Sequence, residues 1–168
     1  MSISLALPRL RADQYAIVMH PAKRKKIAMG RRWGKSVLGG VIVLNTLRQH
    51  GKAAWIVPTY KNARPLWRYV VNLCASLEQQ KIIDVSKSER VVQTFRGGIL
   101  GVYSADNIDS IRSEDFDVVV TDEAARVVAD TKNDAVEATL ADRDGAMLDI
   151  SSPKGRNEFF IEWIAAEQ

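Results

Sequence analysis

The fold prediction begins from eight consecutive residues, Met29-Gly30-Arg31-Arg32-Trp33-Gly34-Lys35-Ser36. They stand between a short apolar run, Lys26–Met29, and a helical pattern that extends from Lys35 to about Gln49. A phosphate-binding loop of the form G-x-x-x-x-G-K-S/T occupies such a junction of strand and helix. Its backbone N–H groups and the helix N-terminus hold phosphate oxygens. Lys35 would then reach the β- and γ-phosphates of a nucleotide, and the Ser36 hydroxyl would hold Mg²⁺.

The loop departs from this pattern at its first position, where Met29 replaces glycine. Gly30 follows, and we expect it to supply the backbone freedom that the turn requires. The alternative interpretation is an ordinary helix start with a solvated lysine, because the imperfect motif is not specific by itself.

A second candidate element is a strand that ends in two carboxylates. Phe116–Thr121 holds three consecutive valines and is predicted to be a strand buried on both faces, and Asp122-Glu123 follow. In phosphate-loop enzymes an Asp at such a strand end supports Mg²⁺. A Glu directly after it can orient and deprotonate the attacking water. The alternative is that both acids merely cap the following helix.

A third element, Met147–Ser151, is also predicted to be a strand, and it leads into Ser152-Pro153-Lys154-Gly155. A hydroxyl at this strand end can bond a γ-phosphate or the catalytic Glu, and so couple hydrolysis to movement. An ordinary turn remains the alternative.

Strand-like and helix-like segments alternate along the chain. The remaining predicted strands are Ala53–Val57, Arg90–Phe95 and Ile99–Tyr103, of which the last two flank the hairpin turn Arg96-Gly97-Gly98. The other predicted helices are Ala63–Leu77, Lys132–Leu140 and Asn157–Ala166, with one short turn at Asn107–Ile111. Apolar strands that alternate with helices predict an α/β fold, with a mostly parallel sheet covered on both faces. The sequence does not predict the strand order.

Composition narrows the class of protein. The chain has 168 residues, of which 46% are hydrophobic and 26% charged, so we expect one globular domain rather than a disordered chain. The single cysteine, Cys74, excludes an internal disulfide framework and a Cys-rich zinc site. No apolar run approaches the ~18–20 residues of a membrane span, so we expect no membrane association.

The charge is distributed unevenly. Residues 1–68 contain 14 Lys/Arg and one acid, whereas residues 69–168 contain 10 Lys/Arg and 19 acids. The net charge of +13 in the first part and −9 in the second predicts a polyanionic partner on one side of the molecule. A solvated basic face is the alternative.

Taken together, these segments resemble the large terminase subunit, the genome-packaging ATPase of tailed bacteriophages. The resemblance extends from about Gln14 to Phe160. Arg31–Ser36 resembles that family's variant phosphate loop, which commonly lacks the first glycine. Four other segments resemble the family in the same order: Val57–Tyr60 with Ala63-Arg64, Ser104–Asn107, Ser110–Arg112 with Phe116–Ala125, and the coupling motif at Ser151–Asn157.

The resemblance implies a RecA-like phosphate-loop ATPase with ATP as substrate and Mg²⁺ as cofactor. The implied nucleotide-binding set is Gly30, Arg31, Arg32, Trp33, Gly34, Lys35, Ser36 and Gln14, with Gln14 as an adenine reader. The implied catalytic set is Glu123 as general base, Lys35, Arg31 near the γ-phosphate, and Arg112 as an arginine finger toward a neighbouring subunit. Ser36 and Asp122 are implied metal ligands, and Ser152 is the implied coupling residue. A salt bridge from Arg112 to Glu114 or Asp115 is its alternative role.

The resemblance also implies double-stranded DNA, a portal protein and a small terminase subunit as partners. The expected setting is the bacterial host cytoplasm, at the portal of the procapsid, and the expected full-length assembly is a homo-oligomeric ring. We expect residues 1–168 to form a single ATPase core without the family's nuclease domain or lid subdomain, which leaves a monomer as an alternative for this chain. The competing functions are another DNA-dependent RecA-like ATPase, such as a helicase relative, and a non-catalytic nucleotide-binding remnant.

Overall fold

A computed structural model describes residues 7–112, 114–127 and 129–166. Within them, seven strands form one sheet: β1 Arg24–Ala28, β2 Lys52–Val57, β3 Ile83–Ser86, β4 Val91–Thr94, β5 Ile99–Ser104, β6 Val118–Asp122 and β7 Ala146–Ser151. The α-helices are α1 Ala12–Met19, α2 Lys35–Arg48, α3 Tyr60–Gln79, α4 Ala129–Ala141 and α5 Glu158–Ala166. Two 3₁₀ segments, Ala105–Ile111 and Ala124–Arg126, follow β5 and β6.

The strands lie in the order β1-β7-β6-β2-β5-β4-β3. The pairs from β1 to β5 are parallel, whereas β4 pairs antiparallel with both β5 and β3. The mostly parallel sheet is therefore confirmed, and so is the hairpin between β4 and β5. The strand order brings β7, from the end of the chain, between β1 and β6.

Helices cover both faces of this sheet, as predicted. Successive side chains of a strand point to opposite faces. Accordingly, Trp55 and Val57 pack with α2 and α3 in one buried cluster, while Ala54 and Ile56 pack in another with α4 and the 3₁₀ segment Ala105–Ile111. Both apolar faces of the central strand β2 are thereby buried, which explains why it reads as an uninterrupted apolar run.

The sequence analysis did not predict the helix α1 or the strand β3. The strand β3 is only four residues long and pairs with β4 alone, so its apolar pattern is weak. The helix α3 begins at Tyr60, earlier than predicted, because the Thr59 hydroxyl accepts a hydrogen bond from the Asn62 backbone N–H at 3.4 Å.

None of the described helices combines the length and apolar character that crossing a membrane would require.

Candidate nucleotide-binding site

The three predicted elements meet at one edge of the sheet. The register pairs Ala28 of β1 with Ser151 of β7, and Asp122 of β6 with Ile150 of β7. The phosphate loop, the two acids and the serine pair therefore all lie at the carboxyl ends of adjacent strands. In parallel α/β sheets, ligands bind in the crevice outside the carboxyl ends of the strands. The first loop residue is also tied to β7, since the Met29 N–H donates to the Ser151 carbonyl at 3.0 Å.

The loop requires left-handed backbone at two positions, Arg32 with φ 65° and Gly34 with φ 89°. Gly34 is the residue directly before α2, so its conformation sets the direction in which the helix begins. Our expectation that Gly30 supplies the backbone freedom is wrong, because its φ is not positive and a Cβ there would meet nothing within 4 Å. Arg32 instead adopts a conformation that non-glycine residues disfavour.

Lys35 lies beneath the loop. Its ammonium group donates to the Met29 and Gly30 carbonyls at 2.9 and 2.8 Å, and the residue is only 8% exposed. The positive charge is thus held within the loop by neutral acceptors. A phosphate oxygen is a stronger acceptor for an ammonium group than a carbonyl, so an anion in the loop would compete for it.

Ser36 and Asp122 are in direct contact. The Ser36 hydroxyl donates to Asp122 Oδ2 at 2.8 Å, and the Glu123 backbone N–H donates to Asp122 Oδ1 at 2.9 Å. Burial raises the pKa of the Asp122 carboxyl above its usual range, against the opposing effect of these two hydrogen bonds. The contact joins residues from two distant parts of the sequence, as the predicted metal site requires.

The donor set fits Mg²⁺. A hydroxyl and a carboxylate are hard oxygen ligands, and Mg²⁺ typically combines one or two such protein ligands with waters and phosphate oxygens. Among the described residues there is no cluster of three or more His, Cys, Asp or Glu that could hold a metal on its own.

Glu123 follows Asp122 in a left-handed conformation, with φ 54°. Its carboxylate lies 3.4 Å from Arg126 Nε, in a partly exposed pair that contributes little stability. Glu123, Ser36 and Asp122 line a cleft of about 310 Å³, whose other wall includes Asn62 and Tyr69 of α3. The cleft has room for a phosphate group and a water beside the Glu123 carboxylate.

Gln14 packs against the loop from α1. Its Nε2 donates to the Trp33 and Gly34 carbonyls at 3.2 and 3.4 Å, and its Oε1 accepts from the Arg11 backbone N–H at 3.0 Å. Since the residue is 3% exposed and both ends of its amide are engaged, Gln14 supports the loop. The sequence analysis missed this role, and adenine reading stays a prediction.

The other predicted residues occupy more exposed positions. Trp33 is half-buried and donates from Nε1 to Asp13 at 2.9 Å, which fixes the loop to α1. Arg31 and Arg32 are exposed beside the loop. Arg112 is also exposed and follows the 3₁₀ segment Ala105–Ile111.

Asp115, considered above as a salt-bridge partner of Arg112, pairs with Lys52 and Arg143. Its carboxylate is therefore already shared between two cations. The role of Arg112 as an arginine finger stays a prediction.

Ser151, the neighbour of the predicted coupling residue Ser152, makes the contact with the acidic turn. The Ser151 hydroxyl is buried and accepts a hydrogen bond from the Ala125 backbone N–H at 3.1 Å. Asn157 also reaches this turn, donating from Nδ2 to the Ala125 carbonyl at 3.0 Å. The sequence indicated the segment but not these two residues, and the coupling role of Ser152 stays a prediction.

Two curated proteins similar to this chain are the large terminase subunits of Thermus phage G20c and Thermus virus P23-45. Each is 32% identical over 171 residues, and the match covers 88% of this chain and 34% of the relative. The chain thus spans about a third of the length of these relatives. No protein-family model matches the chain.

Solved structures agree with this similarity. The large terminase ATPase domain of Thermus phage P74-26 superposes with a TM-score of 0.76 at 28% identity, covering 90% of this chain and 68% of that domain. The large terminase of bacteriophage HK97 superposes with a TM-score of 0.77 at 17% identity, covering 95% of this chain and 36% of that protein. These relatives confirm the predicted RecA-like α/β fold.

Proposed function

Because the chain belongs to the large terminase family, in the region that its solved relatives identify as the ATPase domain, we propose that it hydrolyses ATP to drive double-stranded DNA into a viral procapsid. The observation that carries this proposal is the contact between the Ser36 hydroxyl and Asp122 at 2.8 Å. It joins the phosphate loop to the acidic strand end beside a cleft that Glu123 also lines.

In this proposal the loop binds the nucleotide phosphates. Lys35 exchanges its two loop carbonyls for β- and γ-phosphate oxygens, while the N–H groups that begin α2 contribute further donors. Arg31 and Arg32 add positive charge at the loop surface. Ser36 and Asp122 would hold Mg²⁺, which neutralises phosphate charge when bound.

Glu123 is the proposed general base. Glu123 lines the cleft, where its carboxylate can accept a proton from the water that attacks the γ-phosphate. Arg112 would act on the nucleotide of a neighbouring subunit, since an arginine supplied in trans stabilises transition-state charge in related phosphoryl transfers. Ser152 would transmit the change at the γ-phosphate to the rest of the molecule.

The partners follow from the same proposal. They are double-stranded DNA, the portal protein and the small terminase subunit, at the procapsid portal in the cytoplasm of the infected host. A motor that moves any sequence is served by contacts to the DNA backbone, which carry no sequence information.

The test is steady-state ATP hydrolysis measured against protein concentration, with Mg²⁺ and with or without duplex DNA. We expect the specific rate to rise with concentration, because Arg112 acts between subunits, and to rise further with DNA. Arg112→Ala should bind ATP normally but lose the concentration dependence. A chain that fails to bind ATP with Mg²⁺ would contradict the proposal, and binding without turnover would instead indicate a non-catalytic remnant.

A further inference from the structure

The turn after Glu123 is held by side chains from a different part of the chain. The Ala125 backbone N–H donates to the Ser151 hydroxyl at 3.1 Å, and the Ala125 carbonyl accepts from Asn157 Nδ2 at 3.0 Å. Both polar groups of this backbone residue, two positions after Glu123, are therefore fixed by β7 and by the segment that begins α5.

The side-chain amide of Asn157 makes one hydrogen bond to the turn and another to the start of α5. Its Nδ2 donates to the Ala125 carbonyl, while its Oδ1 accepts from the Phe160 backbone N–H at 3.1 Å. The second bond satisfies one of the donors that a helix N-terminus leaves open, so Asn157 also caps α5. The nitrogen of the amide therefore bonds only the turn, and its oxygen bonds only the helix.

The rest of the contact between α5 and the turn is not tightly packed. A cavity of about 190 Å³ lies between them, lined by Ala124, Val127 and Phe159 among others. The helix is fixed to the sheet further along, where Lys26 pairs with Glu162 at 2.6 Å and with the buried Asp149 at 2.8 Å. Asn157 and Ala125 both line this cavity, so their hydrogen bond is a direct link between α5 and the turn at a place where packing is incomplete.

We propose that Asn157 is a positioning residue that fixes the Glu123 carboxylate for ATP hydrolysis. Glu123 occupies a left-handed conformation that a non-glycine residue adopts only when its surroundings enforce it. Asn157 contributes to that enforcement through the Ala125 carbonyl, together with the Ser151 hydroxyl on the Ala125 N–H. The inference rests on the proposed role of Glu123 as general base, and it adds a residue outside the phosphate loop and the acidic strand end.

Three substitutions separate the two functions of the amide. Asn157→Asp and Asn157→Ser keep an oxygen that caps α5 about as well as asparagine does, but neither can donate to the Ala125 carbonyl in its place. The aspartate lacks an N–H, and the serine side chain is too short. Asn157→Ala removes both functions.

The kinetic expectation follows from this separation. Asn157→Asp and Asn157→Ser should retain the melting temperature and the ATP dissociation constant of the parent, yet lose about tenfold in kcat, because small misplacements of a catalytic group are costly. Asn157→Ala should lose a similar factor in kcat and also melt at a lower temperature. If both capping variants keep the parental kcat and only Asn157→Ala is impaired, Asn157 is a helix cap alone and the inference is wrong.

Amide hydrogen exchange tests the same link without activity. The Arg126 and Val127 N–H groups close the turn onto the Glu123 and Ala124 carbonyls, at 2.8 and 3.0 Å. We expect Asn157→Asp to accelerate their exchange and to leave the Phe160 amide of α5 unchanged. Unchanged exchange in the turn would overturn the inference. A parent without ATP turnover would contradict the proposed function instead, and the exchange pattern would still decide whether Asn157 fixes the turn.

Discussion

Gln14 and Gly34 constrain each other at the start of α2. The amide of Gln14 is held between the Arg11 N–H and the loop carbonyls, so it cannot move freely. A Cβ at Gly34 would come within 2.8 Å of Gln14 Nε2, and φ there is +89°. Glycine is thus required at position 34 for two reasons. Its backbone is left-handed, and a Cβ would collide with the side chain of Gln14.

Gly34→Ala should therefore lower the free energy of unfolding by about 2 kcal/mol, of which a left-handed alanine accounts for ~1–2 kcal/mol. The remainder comes from the contact with Gln14, so the two sites should couple in a double-mutant cycle. Chemical denaturation of Gly34→Ala, Gln14→Ala and the double variant measures this. Strict additivity would show that the side chain of Gln14 plays no part.

Glu123→Gln tests the proposed general base, because it replaces one carboxylate oxygen by an amide nitrogen and changes little else. The amide keeps the size of the side chain and its place in the cleft, but it cannot take a proton from water. We expect unchanged ATP binding and a loss of turnover of about 10²-fold or more. Lys35→Ala is the matched contrast, since it should weaken ATP binding itself by removing a phosphate ligand. Parental turnover in Glu123→Gln would mean that another group is the base.

Sequence spacing predicted which residues meet at this edge of the sheet. Lys35 and Asp122 could be predicted because a loop after one strand and an acid after another meet at the same sheet edge. Ser151 and Asn157 could not, because their role depends on which backbone groups of a separate turn come within reach. The contact of Gln14 with the loop was missed for the same reason.

At the scale of the element, burial decided which strands were predictable. Val118–Val120 lie in a central strand covered on both faces, so their apolar run was unambiguous. In Ile83–Ser86, Ile83 is buried and Asp84 exposed at the sheet margin, so the segment has little apolar signal. The strand order had no local signal at all, since it follows from the packing of helices onto the completed sheet.

The helix α2 lies unusually close to that sheet. A Cβ at Gly39 would stand 3.1 Å from Val120, 3.2 Å from Trp55 and 3.3 Å from Ile150, all fully buried. Glycine inside a helix costs about 1 kcal/mol relative to alanine, so a closer approach to the sheet offsets a poorer helix former. The phosphate loop begins α2, and its distance from Asp122 depends on this packing.

Gly39→Ala should accordingly destabilise the protein, against the expectation from helix propensity. Overpacking a core costs about 1–3 kcal/mol, which exceeds the gain of about 1 kcal/mol from replacing glycine in a helix. We expect a net loss of about 1 kcal/mol in the free energy of unfolding, measured by denaturant titration. A more stable variant would show that the helix can move away from the sheet without cost.

Across the whole molecule, the basic residues differ in whether a carboxylate neutralises them. Several are paired with carboxylates, as in Arg24 with Glu137 and Arg143 with Asp117. By contrast, α3 carries three exposed cations at helical spacing on its solvent face: Lys61, Arg64 and Arg68. Among the residues that the structure describes, no carboxylate lies within 4 Å of any of the three. Their charges are available to a phosphate backbone, and the adjoining face of the same helix lines the cleft beside Asp122.

The combined variant Arg64→Ala/Arg68→Ala should therefore weaken binding of duplex DNA and also its dependence on salt. Each lost phosphate contact reduces the slope of log affinity against log salt concentration by about 0.9, so two contacts predict a reduction of about 1.8. Fluorescence anisotropy with a labelled duplex at several salt concentrations measures both quantities without ATP.

Arg143→Ala is the control, because the guanidinium of Arg143 is already neutralised by Asp115 and Asp117. Equal salt slopes in the parent, the double variant and Arg143→Ala would show that DNA does not contact α3. A reduced slope in Arg143→Ala alone would place the DNA contact at the opposite end of the sheet, where β2 and β6 begin.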